Sequence, residues 1–356
     1  MQTDRVHRVT ALMKEQNLSQ IIVTATASVY YLTGLWVEPH ERMLALLLTQ
    51  SGEMTLFGNT MFGLPTDAAF PIVLHKDGED PVADLANTLR PGAVGIDKFW
   101  YSKFLLGLMA HRSDITPVEG SAPVDSARKC KDEAEQEAMR HSSRRNDEVM
   151  AKAIAALTDN VRENEIAGLI NREYLSRGAD CEGVQLVCFG PNGADPHHGG
   201  DSTQLNSGDS VVLDMFTPIG RYWCDMTRTV FYKTVSQEQR TVYELVRRAN
   251  EAAIAQVRPG ITLSHLDATA RAVIADGGYG EYFTHRLGHG CGLDCHEPPD
   301  VSGASHGLLE PGMIFSIEPG IYLPGKFGVR IEDLVLVTES GCEVLNQYPK
   351  DLQVIG

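Results

Sequence analysis

The stretch that decides the fold, residues 210–231, reads SVVLDMFTPIGRYWCDMTRTVF. Two runs rich in β-branched and aromatic residues flank a turn with proline and glycine, a pattern that predicts an antiparallel hairpin. With the turn centred near Ile219 and Gly220, Asp214 and Asp225 lie directly opposite each other, and their Cβ atoms are about 4.5–5.5 Å apart on one face. The sequence therefore predicts two facing carboxylates in β-rich, apolar surroundings.

A second pair of carboxylates has a similar setting near the carboxyl end. Residues 313–337 read MIFSIEPGIYLPGKFGVRIEDLVLV, in which Glu318 and Glu332 face each other across a turn centred on Gly325. Two ionised carboxylates about 5 Å apart repel by roughly 3 kcal/mol at an effective dielectric constant near 20, which exceeds the ~1 kcal/mol of a cross-strand contact. We therefore expect cations between them. Four carboxylates and one neutral histidine balance two divalent cations, and this donor set suits manganese, cobalt, iron or zinc better than calcium.

Length, composition and charge narrow the classes of protein further. The chain has 356 residues, 43% of them hydrophobic, which predicts two domains rather than one core. Its formal net charge of −16 is opposite to what phosphate backbones or anionic membranes attract, so neither nucleic acid nor a membrane is an expected partner. The amino end has no secretory pattern and the seven cysteines are an odd number, so we expect a cytoplasmic protein with reduced thiols.

Hydrophobic periodicity predicts a small α/β domain followed by a larger α+β domain. We place the domains at residues 1–122 and 123–356. The first alternates helices with short strands, among them a hairpin of strands 43–49 and 54–58. A charged stretch at 129–157 with an apolar stripe predicts one long helix. Further helices are expected at 163–177, 237–257 and 263–275.

Several segments resemble the pita-bread metallopeptidases, in particular their prolidase (Xaa-Pro dipeptidase) and aminopeptidase P branches. The resemblance is strongest in HRLGHGCGLDCHEPP at 285–299, in the two carboxylate segments above, and in FGPNGADPH at 189–197; YLTGLWVEPHER at 31–42 extends it towards the amino end. It implies a creatinase/aminopeptidase-like pita-bread catalytic domain behind a smaller α/β amino-terminal domain.

The resemblance also implies a role for individual residues. It implies two divalent metal ions, manganese first, with cobalt or zinc as alternatives. The implied metal ligands are Asp214, Asp225, His289, Glu318 and Glu332. The implied catalytic residues are the substrate-contacting His197 and His296, the proton shuttle Glu318, and Arg330 near a metal-bridging carboxylate. His198 follows His197 directly and leaves open which imidazole faces the site. Candidate walls of a proline pocket are Phe189, Tyr222 and Tyr322.

The activity implied by the resemblance is hydrolysis of Xaa-Pro peptide bonds by a metal-bridging hydroxide. Eukaryotic prolidases bind the dipeptide carboxylate with an arginine from a segment that corresponds to residues 300–312, which contain no arginine here. Arg330, Arg286 and His40 of the partner subunit are the remaining candidates for that cation. The last comes from a loop at 34–42 that resembles a family loop reaching a partner's active site, so we expect a homodimer.

Three functions follow from these expectations. We favour an Xaa-Pro dipeptidase. The first alternative is an aminopeptidase P-type enzyme, which releases the amino-terminal residue from longer Xaa-Pro peptides. The second, from a different class, is a non-catalytic binding protein on the same scaffold.

Overall fold

The structure of the protein is a computed structural model that describes residues 2–183 and 185–356. It divides into two compact units, a smaller one that ends at Arg128 and a larger one that runs from Lys129 to Gly356. This division describes compactness, whereas the predicted boundary between residues 122 and 123 separates domains that fold independently. That boundary stays a prediction. Among the described helices, none combines the length and the apolar character that crossing a membrane requires.

The smaller unit is the predicted α/β domain. Its strands are β1 Gln20–Val23, β2 Ala45–Thr49, β3 Met54–Asn59, β4 Ile72–His75, β5 Gly92–Ile96 and β6 Ile115–Glu119, and its helices are α1 Thr3–Glu15, α2 Thr26–Thr33, α3 Ala83–Thr88, α4 Ser102–His111 and α5 Ala122–Lys129, which ends in the larger unit. The strands form one mixed sheet in the order β4-β3-β2-β1-β5-β6, and β2 and β3 make the predicted hairpin. Helix α2 ends where Gly34 takes a left-handed φ of 79°, which a glycine adopts without steric cost.

In the described part of the larger unit, four α-helices pack with three groups of strands. The helices are α6 Glu133–Ala155, α7 Glu163–Ser176, α8 Gln237–Ile254 and α9 Leu263–Asp276. The strands are β7 Leu186–Phe189, β8 Ser210–Ile219, β9 Tyr222–Tyr232, β10 Gly288–Gly290, β11 Glu297–Val301, β12 Ile314–Ile317, β13 Gly320–Leu323, β14 Phe327–Arg330, β15 Asp333–Val337, β16 Cys342–Val344 and β17 Val354–Ile355. They form sheets in the orders β11-β10-β12-β15-β16 and β17-β9-β8-β7, and a separate pair β13-β14.

The stretch at 129–157 contains one long helix as predicted, but this helix starts later than the stretch does. Helix α6 begins only at Glu133, because Asp132 and Glu135 form a capping box in which each carboxylate accepts a hydrogen bond from the other residue's backbone N–H. Just before the cap, the backbone of Cys130 is extended and forms an isolated antiparallel β-bridge with Met313. The predicted start at residue 129 was therefore wrong by four residues.

The hairpin β8–β9 forms as predicted, but its register differs from the predicted one by two residues. The turn residues are Gly220 and Arg221, which both have positive φ (61° and 74°), as a two-residue turn matched to the strand twist requires. Asp225 therefore pairs with Phe216, and Asp214 pairs with Thr227. The two aspartates lie diagonally on one face, a relation that separates such positions by roughly 7–8 Å and leaves room for cations between them.

The second carboxylate pair has the predicted register. Strand β12 pairs with β15 so that Ile317 is opposite Asp333, and β13 pairs with β14 so that Gly320 is opposite Arg330. Both pairings have the same register, so Glu318 and Glu332 lie opposite each other in the gap between them. Gly325 in the connecting turn has a φ of 71°. Neither glutamate is therefore part of a paired strand.

Candidate metal centre

A cavity of about 470 Å³ in the larger unit brings together all of the predicted metal ligands and catalytic residues. Strands β8 and β9 contribute Asp214 and Asp225, and β10 contributes His289. The remaining predicted residues on its wall are His197, His296, Glu318, Arg330 and Glu332. Residues distant in sequence thus converge on one concave surface, the usual setting of a ligand site.

The donor atoms of this cavity are close enough to share a cation. Asp225, His289 and Glu332 each offer one ligand atom, and these three atoms lie within 4.8 Å of one another. Nε2 of His289 is 3.3 Å from Oε1 of Glu318 and 3.7 Å from Oδ2 of Asp225. Nδ1 of the same ring is 3.1 Å from the carbonyl oxygen of Gly290, which orients Nε2 towards the carboxylates.

One buried oxygen tests whether this donor set fits a metal ion. Oδ2 of Asp214 accepts a hydrogen bond from Nη2 of Arg330 at 2.9 Å, whereas Oδ1 is buried with no hydrogen-bond partner among the described residues. A buried oxygen left unpaired costs about 1–3 kcal/mol, and more on a charged group. A bound cation removes that cost, and four carboxylates with one imidazole are hard and borderline donors suited to divalent ions. The residues therefore fit the metal ions that the sequence predicts.

Burial and neighbouring charges shift the pKa values of the acidic residues and of His289. Burial raises the pKa of Asp225 and of Glu332 well above the usual carboxyl range, and neighbouring carboxylates raise both further. Burial also raises the pKa of Glu318 and lowers that of His289 to about 4. At neutral pH the His289 imidazole is therefore uncharged and able to bind a metal ion. The buried carboxylates ionise readily only beside positive charge, which a bound metal ion would provide.

A set of hydrogen bonds holds the acidic side chains in place. Oγ1 of Thr227 donates to Oε2 of Glu332 at 2.7 Å and accepts from Nε of Arg330 at 3.1 Å. Oγ of Ser316 donates to Oε1 of Glu318 at 3.0 Å. The Arg330 side chain is only 4% exposed, and Nη1 donates to the Tyr322 hydroxyl at 2.9 Å. Its guanidinium is thus engaged with the acidic cluster and its surroundings.

The two neighbouring histidines point to different places. His197 is exposed and lines the cavity. His198 does not line it, because its Nε2 lies 2.9 Å from Oε2 of the buried Glu163. His296 lies beside His289, with ring centroids 4.1 Å apart, and burial lowers the pKa of His296.

Some cavity residues differ from the sequence-based expectation. Phe189, Tyr222 and Tyr322 are not among the wall residues; Phe189 is packed in the core with β8 and β9. The additional wall residues are Leu186, Pro196, Phe216, His285, Arg286 and Cys295. Two signals could have indicated some of them: Phe216 shares the strand face of Asp214, and Cys295 precedes His296.

Comparison with known proteins finds two family models that together match most of the chain. The model of metallopeptidase family M24 matches residues 137–339, and that of the creatinase/prolidase N-terminal domain matches residues 5–130. An uncharacterized peptidase of Staphylococcus aureus is 35% identical over 356 residues, 97% of this chain and 99% of that protein. The solved prolidase from Thermococcus sibiricus is 33% identical with a TM-score of 0.94, covering 100% of this chain and 99% of its own. Dipeptidase PepE from Mycobacterium ulcerans is 33% identical with a TM-score of 0.90, covering 99% and 97%.

Proposed function

Because the chain belongs to metallopeptidase family M24, we propose that it hydrolyses Xaa-Pro peptide bonds with two divalent metal ions, manganese first, with cobalt or zinc as alternatives. The observation that carries the proposal is the convergence of Asp225, His289 and Glu332 beside the unpartnered oxygen of Asp214. Likeness over the whole chain to a protein named prolidase supports the Xaa-Pro bond as the target.

In the proposed arrangement each ligand has a distinct task. Asp214, Asp225 and Glu332 would hold one ion, and His289 and Glu318, with the same Asp225 and Glu332, would hold the other. Two bound divalent ions supply Lewis acidity and lower the pKa of water to about 7, so that a nucleophile exists at neutral pH. The hydrogen bond from Thr227 to Glu332 supports this assignment, because partners of this kind fix the orientation of a ligating carboxylate.

The remaining residues move protons and bind the substrate. Glu318 would take a proton from the attacking water and deliver it to the leaving proline nitrogen, so that the proline leaves as a neutral amine. His197 and His296 donate hydrogen bonds to the scissile carbonyl as negative charge develops on its oxygen. An Xaa-Pro bond has no N–H, so selectivity depends on a proline-shaped pocket, and Leu186, Pro196 and Phe216 offer it apolar wall.

We propose Xaa-Pro dipeptides as the preferred substrates, with Arg286 as the cation for their carboxylate. Arg286 lines the cavity and its side chain is 37% exposed, whereas the guanidinium of Arg330 is buried and bound to Asp214. Arg286 is paired with Asp300, itself half exposed, so an incoming carboxylate competes with that partner. Planar guanidinium groups bind carboxylates through paired hydrogen bonds, which suits this task.

Kinetics on matched peptides test the proposal. The manganese-loaded enzyme should cleave Ala-Pro with a higher kcat/KM than Ala-Pro-Ala or a longer Xaa-Pro peptide, and it should not cleave Ala-Ala at a comparable rate. A clear preference for the longer peptides identifies an aminopeptidase P-type enzyme instead. Absence of hydrolysis with every peptide, in metal-loaded protein, overturns the proposed reaction and favours a binding role.

We also propose that the protein works as a homodimer. The loop at 34–42, with His40 exposed, resembles a family loop that reaches a partner's active site. Four large apolar residues in or just before α4 are exposed, which is typical of a surface that meets another protein. These residues are Phe99, Tyr101, Leu106 and Met109. Light scattering of the active fraction should give twice the chain mass, and a fully active monomer contradicts the proposal.

A cytoplasmic location is the last part of the proposal. All seven cysteines are free thiols in the structure, including Cys188 and Cys224, which burial holds at a pKa of about 12. Reduced cysteines are the rule in the cytosol. Cell fractionation should recover the chain and its Ala-Pro hydrolysis in the cytosolic fraction, and recovery outside the cell contradicts this location.

A further inference from the structure

The segment that carries His197 is held on both sides of that residue. The carbonyl oxygen of Pro196 accepts a hydrogen bond from Nη1 of Arg330 at 3.4 Å. The imidazole of His198 is hydrogen-bonded to Glu163, and the backbone carbonyl oxygen of His198 accepts a hydrogen bond from the Cys188 thiol at 3.5 Å. His197 lies between these two attachments and reaches the cavity. The direction of its imidazole therefore depends on how firmly its neighbours are held.

Glu163 is the main attachment point of this segment. It is the first residue of α7, and its side chain is 0% exposed. Oε1 accepts hydrogen bonds from the backbone N–H of Phe189 at 2.6 Å and from Nδ2 of Asn192 at 3.0 Å. Oε2 accepts from the backbone N–H of Asp201 at 3.0 Å and from Nε2 of His198 at 2.9 Å. One buried carboxylate thus joins β7, the turn after it and both ends of the segment 198–201.

These contacts also decide between two uses of the cluster. Glu163, His198 and Asp201 have ligand atoms close enough to share a cation. However, four donors already surround the Glu163 carboxylate, which is the full set that two carboxylate oxygens accept. Oδ1 of Asp201 in turn accepts from the backbone N–H of Thr203 at 2.6 Å. Glu163 and its donors are therefore a hydrogen-bonded anchor for the segment 198–201, and the carboxylate has no further acceptor site for a metal ion.

We propose that Glu163 and His198 are positioning residues of the peptidase, which fix the segment so that the imidazole of His197 meets the scissile carbonyl. This inference rests on the proposed function, in which His197 donates to that oxygen. Hydrogen bonds to an ionised carboxylate are the strongest in proteins, which suits a device that must hold a loop. A misplacement of about 1 Å can reduce a rate by about 100-fold. The hydrogen bond between His198 and Glu163 therefore affects kcat through the position of His197.

A matched pair of variants at His198 tests the anchor. His198→Gln keeps a donor that reaches Oε2 of Glu163, and His198→Leu removes it. In manganese-loaded enzyme with Ala-Pro, we expect His198→Leu to lower kcat about 10-fold with KM changed less than about threefold, and His198→Gln to stay within about threefold of the natural enzyme. Equal loss in both variants overturns the proposal, as does a normal kcat in His198→Leu.

Two further variants complete the set. Glu163→Gln turns one of its two oxygens into an NH2 group that faces donors, so we expect it to lower kcat at least as much as His198→Leu. The control is His141→Ala, because His141 is an exposed residue in the middle of α6. It should have normal kinetics. Metal analysis should find the same manganese content in all variants, and loss of metal from His198→Leu alone overturns an action through His197.

A double-mutant cycle separates positioning from general damage to the loop. In a His197→Ala background, the change His198→Leu should alter kcat by less than about twofold, because the group that it positions is gone. If His198→Leu lowers kcat about 10-fold in both backgrounds, the anchor does not act through His197 and the inference is wrong. If His197→Ala alone has a normal kcat, the fault lies with the proposed role of His197, so the two failures are distinguishable.

Discussion

Single residues in the cavity show how unfavourable the acidic cluster is when no cation is bound to it. Asp214 has one oxygen paired with Arg330 and one buried oxygen without a partner. Asp225 and Glu332 are buried so that their pKa values rise well above the usual carboxyl range. Carboxylates with strongly shifted pKa values cluster at functional sites, and replacing buried charged groups with hydrophobic residues of similar volume is often neutral or stabilising.

Glu318 gives the first prediction at this scale. Glu318→Gln keeps the size of the side chain and its acceptance of the Ser316 hydrogen bond, but it removes the proposed metal ligand and proton carrier. We expect kcat for Ala-Pro to fall at least about 100-fold while the circular dichroism spectrum stays unchanged. Glu339→Gln, an exposed change in the same unit, is the control. A folded Glu318→Gln enzyme with a normal rate excludes this role.

Arg286 and Asp300 give the second prediction. If Arg286 receives the substrate carboxylate, Arg286→Gln should raise KM for Ala-Pro about 10-fold or more, since a hydrogen bond to a charged group contributes about 1.5–3 kcal/mol. The same variant should leave KM for Ala-Pro-amide nearly unchanged, because this substrate has no carboxylate. Asp300→Asn should lower KM for Ala-Pro by freeing the guanidinium. Equal effects on the acid and the amide would show that Arg286 serves another purpose.

At the scale of the elements, the hairpin β8–β9 sets the distance between Asp214 and Asp225, two of the proposed ligands. Its register follows from the turn at Gly220 and Arg221, where both residues have positive φ. A different turn length would shift Asp214 relative to Asp225 and change the space for a cation. The geometry of the candidate site therefore depends on the turn that joins the two strands.

A glycine pair in the larger unit tests the importance of this turn. A Cβ at Gly220 or at Gly341 meets no atom within 4 Å, but only Gly220 has a left-handed φ. Gly220→Ala should therefore destabilise the unit by about 1 kcal/mol, which lowers Tm by about 2–4 °C, whereas Gly341→Ala should be neutral or slightly stabilising. Calorimetry of both variants checks this, and equal Tm values would show that the turn carries no such constraint.

The success of the sequence-based predictions differs between kinds of element. Apolar periodicity placed helices such as α7 and α9 within one or two residues, because it depends on local spacing alone. The hairpin register was wrong because Arg221 adopts a positive φ that its residue type does not suggest. The break before α6 depends on a capping box and on a bridge to Met313, a residue distant in sequence.

The candidate site was predictable to a different degree. Every predicted metal ligand and catalytic residue lines one cavity, because motif resemblance carries spatial information that periodicity lacks. The walls were harder to predict, since Phe189 and Tyr222 are aromatic residues of the core and not of the cavity. Which side chain of a buried strand faces a cavity depends on tertiary packing.

At the scale of the whole molecule, the acidic cluster links metal binding to stability. The raised pKa values of Asp225, Glu318 and Glu332 favour protonated side chains in the folded, metal-free protein. Their contribution to stability is fully present below the unfolded carboxyl pKa near 4 and is lost as pH rises through the folded values. Metal ions remove this penalty, since they bind the ionised forms.

This linkage predicts how Tm depends on pH. Between pH 5 and pH 8, Tm of the metal-free protein should fall relative to that of the manganese-loaded protein, by about 2–4 °C for each kcal/mol of lost stability. Asp225→Asn should be more stable than the natural chain when both are metal-free at pH 8. Calorimetry across this range checks both statements, and a constant difference in Tm at every pH contradicts the linkage.

Metal removal and return test the central claim most directly. Protein stripped by a chelator and dialysed should have no detectable hydrolysis of Ala-Pro, because the residues on the cavity wall do not by themselves produce a nucleophile at neutral pH. Titration with Mn²⁺ should restore the activity fully, with the plateau reached at about two ions per chain, as four carboxylates and one neutral imidazole balance two divalent ions. Stripped protein that cleaves Ala-Pro at the original rate contradicts the account, and so does a plateau at one ion per chain.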